Sequence, residues 1–458
     1  MKYYLAVDIG ASSGRHILCH VENKKIILEE IYRFKNNVIN KNNHFYWDIK
    51  YLFNEVKQGL KECARLNKIP ESMGIDTWAV DYALLNENEE LIRDVFAYRD
   101  NRTEKHVKEV FKKILCDELY EKTGIQYQKF NTIYQLSSDV KKDREESKHF
   151  LMVPDYLNYL LTGKMVNEYT NMSTTQLLDI KTNKLSNELI EITGFNKDIF
   201  SNMVMPGENI GCLKKDIVGE IGFDLNVIVP ATHDTGSAYM AAIEKESVII
   251  SSGTWSLLGI ETLEPIIKKE AEEANFTNEG GYEFRYRFLK NIMGLWIIQE
   301  VSRKYQGKYS FGELVELARK EVFEGIFDVN DDRFLKPENM IEEIKNYFEE
   351  KNEKAPRTPG EIAYCVYNSL AYCYKEAAEE LEAITGRKFG TINIIGGGCQ
   401  NGLLNEMIAK VCNKKVVAGP IEATALGNIV CQLISNGIVS GLDEGRKMIK
   451  ESFEINEY

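Results

Sequence analysis

VIVPATHDTGSAYMAAIEKESVIISSGTWSLLG, residues 227–259, is the stretch on which the rest of the chain is organised. It opens with the apolar, β-branched run Val227-Ile228-Val229, which reads as a short buried strand ended by Pro230. Thr232-His233-Asp234-Thr235 follows, and the small residues Gly236, Ser237 and Ala238 begin a helix. A second apolar strand, Val248-Ile249-Ile250, breaks into Ser251-Ser252-Gly253-Thr254 and resumes as Ser256-Leu257-Leu258. A carboxylate at a strand-to-helix junction thus stands upstream of a turn rich in hydroxyls and glycine. Phosphoryl transfer asks for that pairing: an acid to take the nucleophile's proton, and an amide-rich cradle for phosphate oxygens. The same residues also fit a plainer role, in which Asp234 or Thr235 caps the helix. Both readings stand on the local sequence.

The chain has 458 residues, too many for one hydrophobic core, so two large domains are expected. Hydrophobic residues make up 44% and charged residues 28%, the profile of an ordinary globular protein. A net charge of −13 argues against nucleic acid or an anionic membrane as partner, since both select basic surfaces. The nine cysteines are scattered, with no CxxC pair and no histidine at a zinc-finger interval. They read as reduced core thiols of a cytoplasmic protein. Met1-Lys2-Tyr3-Tyr4 leads straight into a strand without a signal-peptide core, and no apolar run reaches the length of a membrane span.

Residues 3–9, YYLAVDI, read as a strand ending in Gly10-Ala11-Ser12-Ser13-Gly14, after which His16–Cys19 and Lys25–Leu28 continue an antiparallel opening. No GxxxxGK[ST] loop occurs anywhere. Tyr51–Leu66 has helical spacing, with Leu52, Val56 and Leu60 on one side. Met73-Gly74-Ile75 enters Asp76-Thr77-Trp78-Ala79-Val80-Asp81-Tyr82, whose acids and aromatic faces suit a sugar, unless Trp78 simply fills a core. Ala97–Thr103 is a polar cluster before a charged helix near Lys105–Leu115, and 139–149 is a charge run expected to be solvated. A helix is expected from Pro154 until Thr162-Gly163 stops it. Thr358-Pro359-Gly360-Glu361 is a capping box with proline at the first helical position. Its helix carries Ile362, Val366, Leu370, Tyr374, Ala377 and Leu381 along one face.

That helix delivers the chain to strand Thr391–Ile395, which ends in Gly396-Gly397-Gly398-Cys399-Gln400-Asn401. Glycines between strand and helix let a ligand approach the backbone. A Rossmann loop is the rival reading, but Asn401 stands where GxGxxG needs its third glycine and no following βαβ acid is evident. Gly419–Gly427 then begins a small-residue helix expected to pack against that loop. A repeat emerges: YYLAVDIGASSGRHILC and SVIISSGTWSLLGI are each strand, Gly/Ser turn, strand. MGIDTWAVDYALL and INIIGGGCQNGLL are each strand, special turn, apolar continuation, so the halves read as two copies of one fold facing a cleft.

With DIGASSGR, HDTGSA, SSGTWS and GGGCQN in this order and spacing, the chain resembles the FGGY carbohydrate kinases. The likeness runs over nearly its whole length, through GIDTWAVDY at 74–82, EYTNMSTTQLLDI at 168–180 and NEGGYEFRYRFLKNIMGLWIIQ at 278–299. The resemblance implies an α/β, two-domain actin-like (ribonuclease H-like) ATPase fold with an interdomain cleft. It implies a sugar-binding domain over 1–243 and a nucleotide-binding domain over 244–458. ATP would meet Ala11, Ser12, Ser13, Gly14, Arg15, Thr254, Gln299, Gly397 and Asn401. Asp8 would hold Mg²⁺, through water. Ala79, His233, Asp234, Thr235 and Asn291 match the sugar positions, and Asp234 matches the catalytic base. Ala79 replaces a glycine of the family pattern, a departure that bears on substrate fit. The implied reaction is direct, in-line transfer from ATP to a primary hydroxyl of L-rhamnulose, with L-fuculose and D-xylulose as rival ketoses. The implied partners are thus a ketose and ATP, in a monomer or a homodimer. A non-enzymatic actin-like ATPase is the reading from another class; it has no use for a sugar-facing carboxylate.

Overall fold

Strand β1 (Tyr3–Ile9) turns through Gly10 into β2 (Ser13–Glu22), and β3 (Lys25–Lys35) completes the antiparallel opening expected from the Gly/Ser turn. β4 (Pro70–Thr77) runs parallel to β1 on its other side and sets Asp76 level with Asp8. β5 (Asn209–Cys212) and β6 (Asn226–Ile228) finish a sheet in the order β5-β6-β4-β1-β2-β3. Leu5, Val7, Ile9, Met73 and Ile75 from this sheet are fully buried with Leu52, Val56 and Leu60 of helix α1 (Ile49–Arg65). Each such side chain contributes about 1.5–3 kcal/mol of burial. Helix α2 (Val153–Thr162) stops where expected, at Gly163 in the left-handed region with φ 73°. Helix α3 (Asp234–Met240) follows β6. These coordinates are a computed structural model describing residues 1–458.

A second sheet repeats the figure. β7 (Val248–Ser252) pairs antiparallel with β8 (Trp255–Thr262) as β1 does with β2, and parallel with β10 (Thr391–Ile395) as β1 does with β4. With β9 (Tyr286–Met293), β11 (Lys415–Ala418) and β12 (Asn456–Glu457), the order β9-β8-β7-β10-β11-β12 mirrors β3-β2-β1-β4-β6-β5, and the strand Thr277–Gly280 adds a seventh beside β9. The outermost pair is antiparallel and the next parallel in both sheets. Helix α4 (Trp296–Lys304) carries Gln299. Helix α5 (Pro359–Thr385) begins with the expected capping box, and Ile362, Val366, Leu370, Tyr374, Ala377 and Leu381 are all buried along it. Helix α6 (Gly402–Cys412) follows the triple glycine.

The chain forms two compact units: Met1–Ala241, Glu261–Phe288 and Ala423–Ser452 make the first; Ala242–Ile260, Leu289–Glu422 and Phe453–Tyr458 the second. Residues 261–288 and 423–452, read from the sequence with the C-terminal half, lie in the first unit. Helix α7 (Ala423–Ser435) shows why. Asn428 donates from Nδ2 to the Gly74 carbonyl (3.1 Å) and to Asp76 Oδ2 (2.6 Å), while Gln432 donates to the Leu5 carbonyl (2.9 Å). These amides satisfy buried polar groups of β1 and β4. A Cβ on Gly427 would lie 1.7 Å from the Ser237 carbonyl oxygen, so α7 and α3 meet backbone to backbone. The small residues of α7 therefore serve its contact with α3. The turn before the helix reaches the 396–401 loop, where the Gly396 amide donates to the Pro420 carbonyl at 3.0 Å.

The charge run at 139–149 is solvated only in part. The short helix Lys141–Glu146 buries nothing, yet Asp139 is buried, pairs with Arg102 (2.6 Å) and Arg93 (2.8 Å), and accepts from the Tyr82 hydroxyl (2.6 Å). All nine cysteines are unpaired, and no helix is long and apolar enough to cross a membrane.

Candidate active site

His233 is the N-cap of α3 but makes no side-chain cap bond, and Asp234 is the first helical residue. The Asp234 carboxyl is 33% exposed, which leaves it open to a substrate. Its Oδ1 accepts from the Thr235 amide (2.6 Å) and hydroxyl (3.1 Å), and His233 Nε2 stands 3.4 Å from the same oxygen. The two Thr235 donors thus gather on Oδ1. Burial pushes the Asp234 carboxyl above the usual range; His233 and Thr235 oppose that push, and Asp8 adds to it.

The segment before α3 is anchored by a residue to which the sequence assigned no role. Glu168 is fully buried, and its Oε2 accepts from the Thr232 amide (3.0 Å) and hydroxyl (2.8 Å). It also takes the Thr170 amide (2.7 Å) and hydroxyl (2.6 Å) and the Asn171 amide (3.1 Å). The Thr77 amide donates to the Thr232 carbonyl at 2.9 Å, and Thr77 bridges to His233. The end of β4 and the start of α3 are thereby brought side by side.

Beyond Thr77, every residue from Trp78 to Leu85 is buried except Ala79. Val80 sits in the left-handed region at φ 68°, unusual for a β-branched residue, with its carbonyl held by the Thr132 hydroxyl (2.8 Å) and Gln135 Nε2 (3.3 Å). This reversal turns Ala79 outward and its neighbours inward. Trp78 stacks on Trp47 with ring centroids 4.0 Å apart, and Tyr82 bonds Asp139. The aromatic faces expected to receive a sugar are core instead, because each polar end has an internal partner. Asp81 accepts from Trp47 Nε1 (2.6 Å), Trp78 Nε1 (2.9 Å), the Tyr98 amide (3.0 Å) and Gln135 Nε2 (2.8 Å). Burial still pushes its carboxyl up to about 6.

Asp8 Oδ2 pairs with Arg15 Nη2 at 2.7 Å across the first turn, which is closed by the Gly10 amide bonding the Ser13 carbonyl at 2.9 Å. Ala11, Ser13 and Arg15 are partly exposed, Ser12 is exposed, and Gly14 is buried. A Cβ on Gly14 would lie 2.1 Å from the Phe34 ring, so this glycine answers to packing. Asp76, beside Asp8, is fully buried with Oδ1 unpartnered, and burial followed by the Asp8 charge raises its carboxyl well above the usual range. No three His, Cys, Asp or Glu side chains converge as a metal-holding group.

In the second unit, α4 docks on the second turn: the Leu295 amide donates to the Gly253 carbonyl (2.9 Å) and the Trp296 amide to that of Thr254 (3.1 Å). Thr254 and Gln299 are partly exposed, as is Asn291 on β9. The three glycines differ. Gly396 has φ 84°, and a Cβ on Gly398 would lie 2.0 Å from Ser252 Oγ, so the fold demands both. Gly397 is exposed with nothing within 4 Å of a Cβ. Ser252 also precedes the Gly253-Thr254 turn, which places Thr254 and Gly397 on neighbouring loops. Asn401 is the N-cap of α6, accepting from the Leu404 amide at 3.1 Å.

Sequence reasoning also passed over Glu279 and Arg287. Arg287 is 1% exposed and its Nη1 pairs with Glu279 Oε2 at 3.0 Å, beside His233. Both lie inside NEGGYEFRYRFLK, a stretch noted only for its resemblance.

The N-terminal domain of the FGGY family of carbohydrate kinases matches residues 3–241, and the C-terminal domain residues 248–435. A rhamnulokinase of Halalkalibacterium halodurans is 52% identical over 462 residues, covering 100% of this chain and 99% of the relative. One of Bacillus subtilis is 43% identical over 461 residues, covering 99% and 95%. Among solved structures, the ligand-bound xylulose kinase from Lactobacillus acidophilus has a TM-score of 0.81 at 18% identity, covering 100% of this chain and 94% of its own. The Plasmodium falciparum glycerol kinase with ADP has a TM-score of 0.79 at 15% identity, covering 99% and 94%. At these identities the structural likeness speaks for the fold, and it bears out the two-domain actin-like α/β architecture expected from the sequence.

Proposed function

The chain belongs to the FGGY family of carbohydrate kinases, and from that membership we propose that it transfers the γ-phosphoryl group of ATP to the 1-hydroxyl of L-rhamnulose, giving L-rhamnulose 1-phosphate and ADP. The observation that carries the chemistry is Asp234: a partly exposed carboxylate at the start of α3 with its donors collected on Oδ1. The choice of ketose rests on the full-length likeness to the two rhamnulokinases.

In this reading Oδ2 of Asp234 takes the hydroxyl proton as the sugar oxygen bonds to the γ-phosphorus and the bond to ADP breaks in line. A carboxyl raised above the ordinary range is a better proton acceptor. His233, Thr235, Ala79 and Asn291 bind the ketose, while Ala11–Arg15, Thr254, Gln299, Gly397 and Asn401 bind ATP. Ser13, Thr254 and the turn amides suit phosphate oxygens. The Asp8 carboxylate and, level with it on β4, the unpartnered Oδ1 of Asp76 fit Mg²⁺, which takes one or two carboxylates plus water and phosphate. Asp8 would hold it through water, and the bound ion would offset charge on the phosphate oxygens.

An ADP-release assay over L-rhamnulose, L-fuculose and D-xylulose tests the reading. The highest kcat/KM should fall on L-rhamnulose, with a 1-phosphate as product. Equal ATP hydrolysis with and without sugar would overturn it.

A further inference from the structure

His233 has a different neighbour at each ring nitrogen. Nε2 faces Asp234 Oδ1 at 3.4 Å, while Nδ1 faces Arg287 Nη2 at 3.2 Å and Glu279 Oε2 at 3.3 Å. A guanidinium has only N–H groups to offer and cannot accept. A neutral imidazole has one proton to place. On Nδ1 it would point toward Glu279 but meet the Arg287 N–H, and it would set the bare Nε2 lone pair against the Asp234 carboxylate. On Nε2 it points at Asp234, and Nδ1 becomes an acceptor for Arg287. Arg287 Nη1 stands 3.0 Å from Glu279 Oε2 as an ion pair, which offsets the carboxylate's charge without the ring's proton.

The Arg287 fork is itself fixed. Nε and Nη2 both donate to the Gly280 carbonyl, at 3.0 and 2.9 Å, and the side chain is 1% exposed. A residue buried this completely has one orientation to present.

We propose that Arg287, paired with Glu279, is a positioning residue that holds His233 in the tautomer with its proton on Nε2, directed at Asp234. The Nε2–H then supports the carboxylate form of Asp234, the form that accepts the sugar proton. It sets its positive end 3.4 Å from Oδ1, beside the two Thr235 donors, and leaves Oδ2 for the substrate. The charged groups facing this pair are Glu279 and Arg287 on the histidine side, and Asp8 and Asp76 on the aspartate side. The inference rests on Asp234 being the base. That reading is tested by turnover, while the tautomer is read from a spectrum, so either can fail alone.

The test is nitrogen NMR of the histidine-labelled full chain above the pH at which imidazole titrates, with His233 assigned by loss of its signals in His233→Gln. Wild type should show Nε2 protonated and Nδ1 bare. The double variant Arg287→Met with Glu279→Gln, which removes both buried charges together, should show mixed tautomers. Its kcat should fall about 10- to 100-fold, the worth of a hydrogen bond to a charged group. The KM for ATP should hold. The acid limb of its kcat profile should move to higher pH, because a carboxylate that loses a donor binds its proton more tightly. A wild-type ring with its proton on Nδ1 overturns the proposal whatever the variant does. So does a folded double variant whose tautomer and acid limb match wild type.

Discussion

At the scale of single residues, chemistry and packing divide the polar groups between them. Asp234 keeps an open carboxyl, and Asp234→Asn should lower turnover by about 10²–10⁴-fold with ATP affinity unchanged; near wild-type turnover would make it a helix residue and nothing more. Ala79 is the one outward side chain between Trp78 and Leu85, so Ala79→Leu should raise the KM for ketose without touching that for ATP. One methylene in a pocket is worth about 10–200-fold, and leucine adds three carbons. An effect confined to ATP would place the segment elsewhere. Asp81 is the opposite case, wholly internal. Burial pushes its folded carboxyl up to about 6, above its unfolded value near 3.8. Its contribution to stability is therefore complete below about 3.8 and lost as pH rises through about 6, a change of up to about 3 kcal/mol. Denaturant titrations should show wild type losing that amount relative to the non-titrating Asp81→Asn as pH rises across the window; parallel curves would show that the proton is not held by the fold.

At the scale of elements, the same strand–turn–strand–strand figure is built twice with two kinds of turn. The triple glycine after β10 shows which positions answer to the fold. Gly398→Ala would drive a methyl into Ser252 Oγ and should destabilise the protein by about 1–3 kcal/mol. Gly397→Val meets no protein atom, so the variant should fold normally and still lose ATP affinity by calorimetry, because a branched side chain would block close approach to the backbone. Unchanged nucleotide binding would remove this loop from the site. The capping box at Thr358–Glu361 and the buried face of α5 follow directly from sequence spacing.

At the scale of the whole molecule, the units are interleaved rather than sequential. A fragment of residues 1–243 lacks α7, and with it the Asn428 and Gln432 bonds to β4 and β1. It also lacks Glu279 and Arg287, the partners of His233. Such a fragment should show no cooperative thermal transition by circular dichroism, whereas the full chain should; a sharp transition in the fragment would show that the return of 423–452 is dispensable.

The sequence by itself determined strands β1 to β4, β6 to β8 and β10, the turns between them, the capping box of α5 and the internal repeat. All of these are written in local periodicity and in glycine, proline and hydroxyl placement. Only the tertiary structure decided that Asp81 and Tyr82 face inward, because the partners that satisfy them lie far along the chain: Trp47 and Gln135 are 34 and 54 residues from Asp81, and Asp139 is 57 from Tyr82. It alone linked Glu168 to Thr232 and Arg287 to His233, separations of 64 and 54 residues. It alone turned the small residues of α7 toward α3. A polar side chain's role depends on which donor or acceptor reaches it, and across such distances that is settled by how the strands stack, not by the residues beside it.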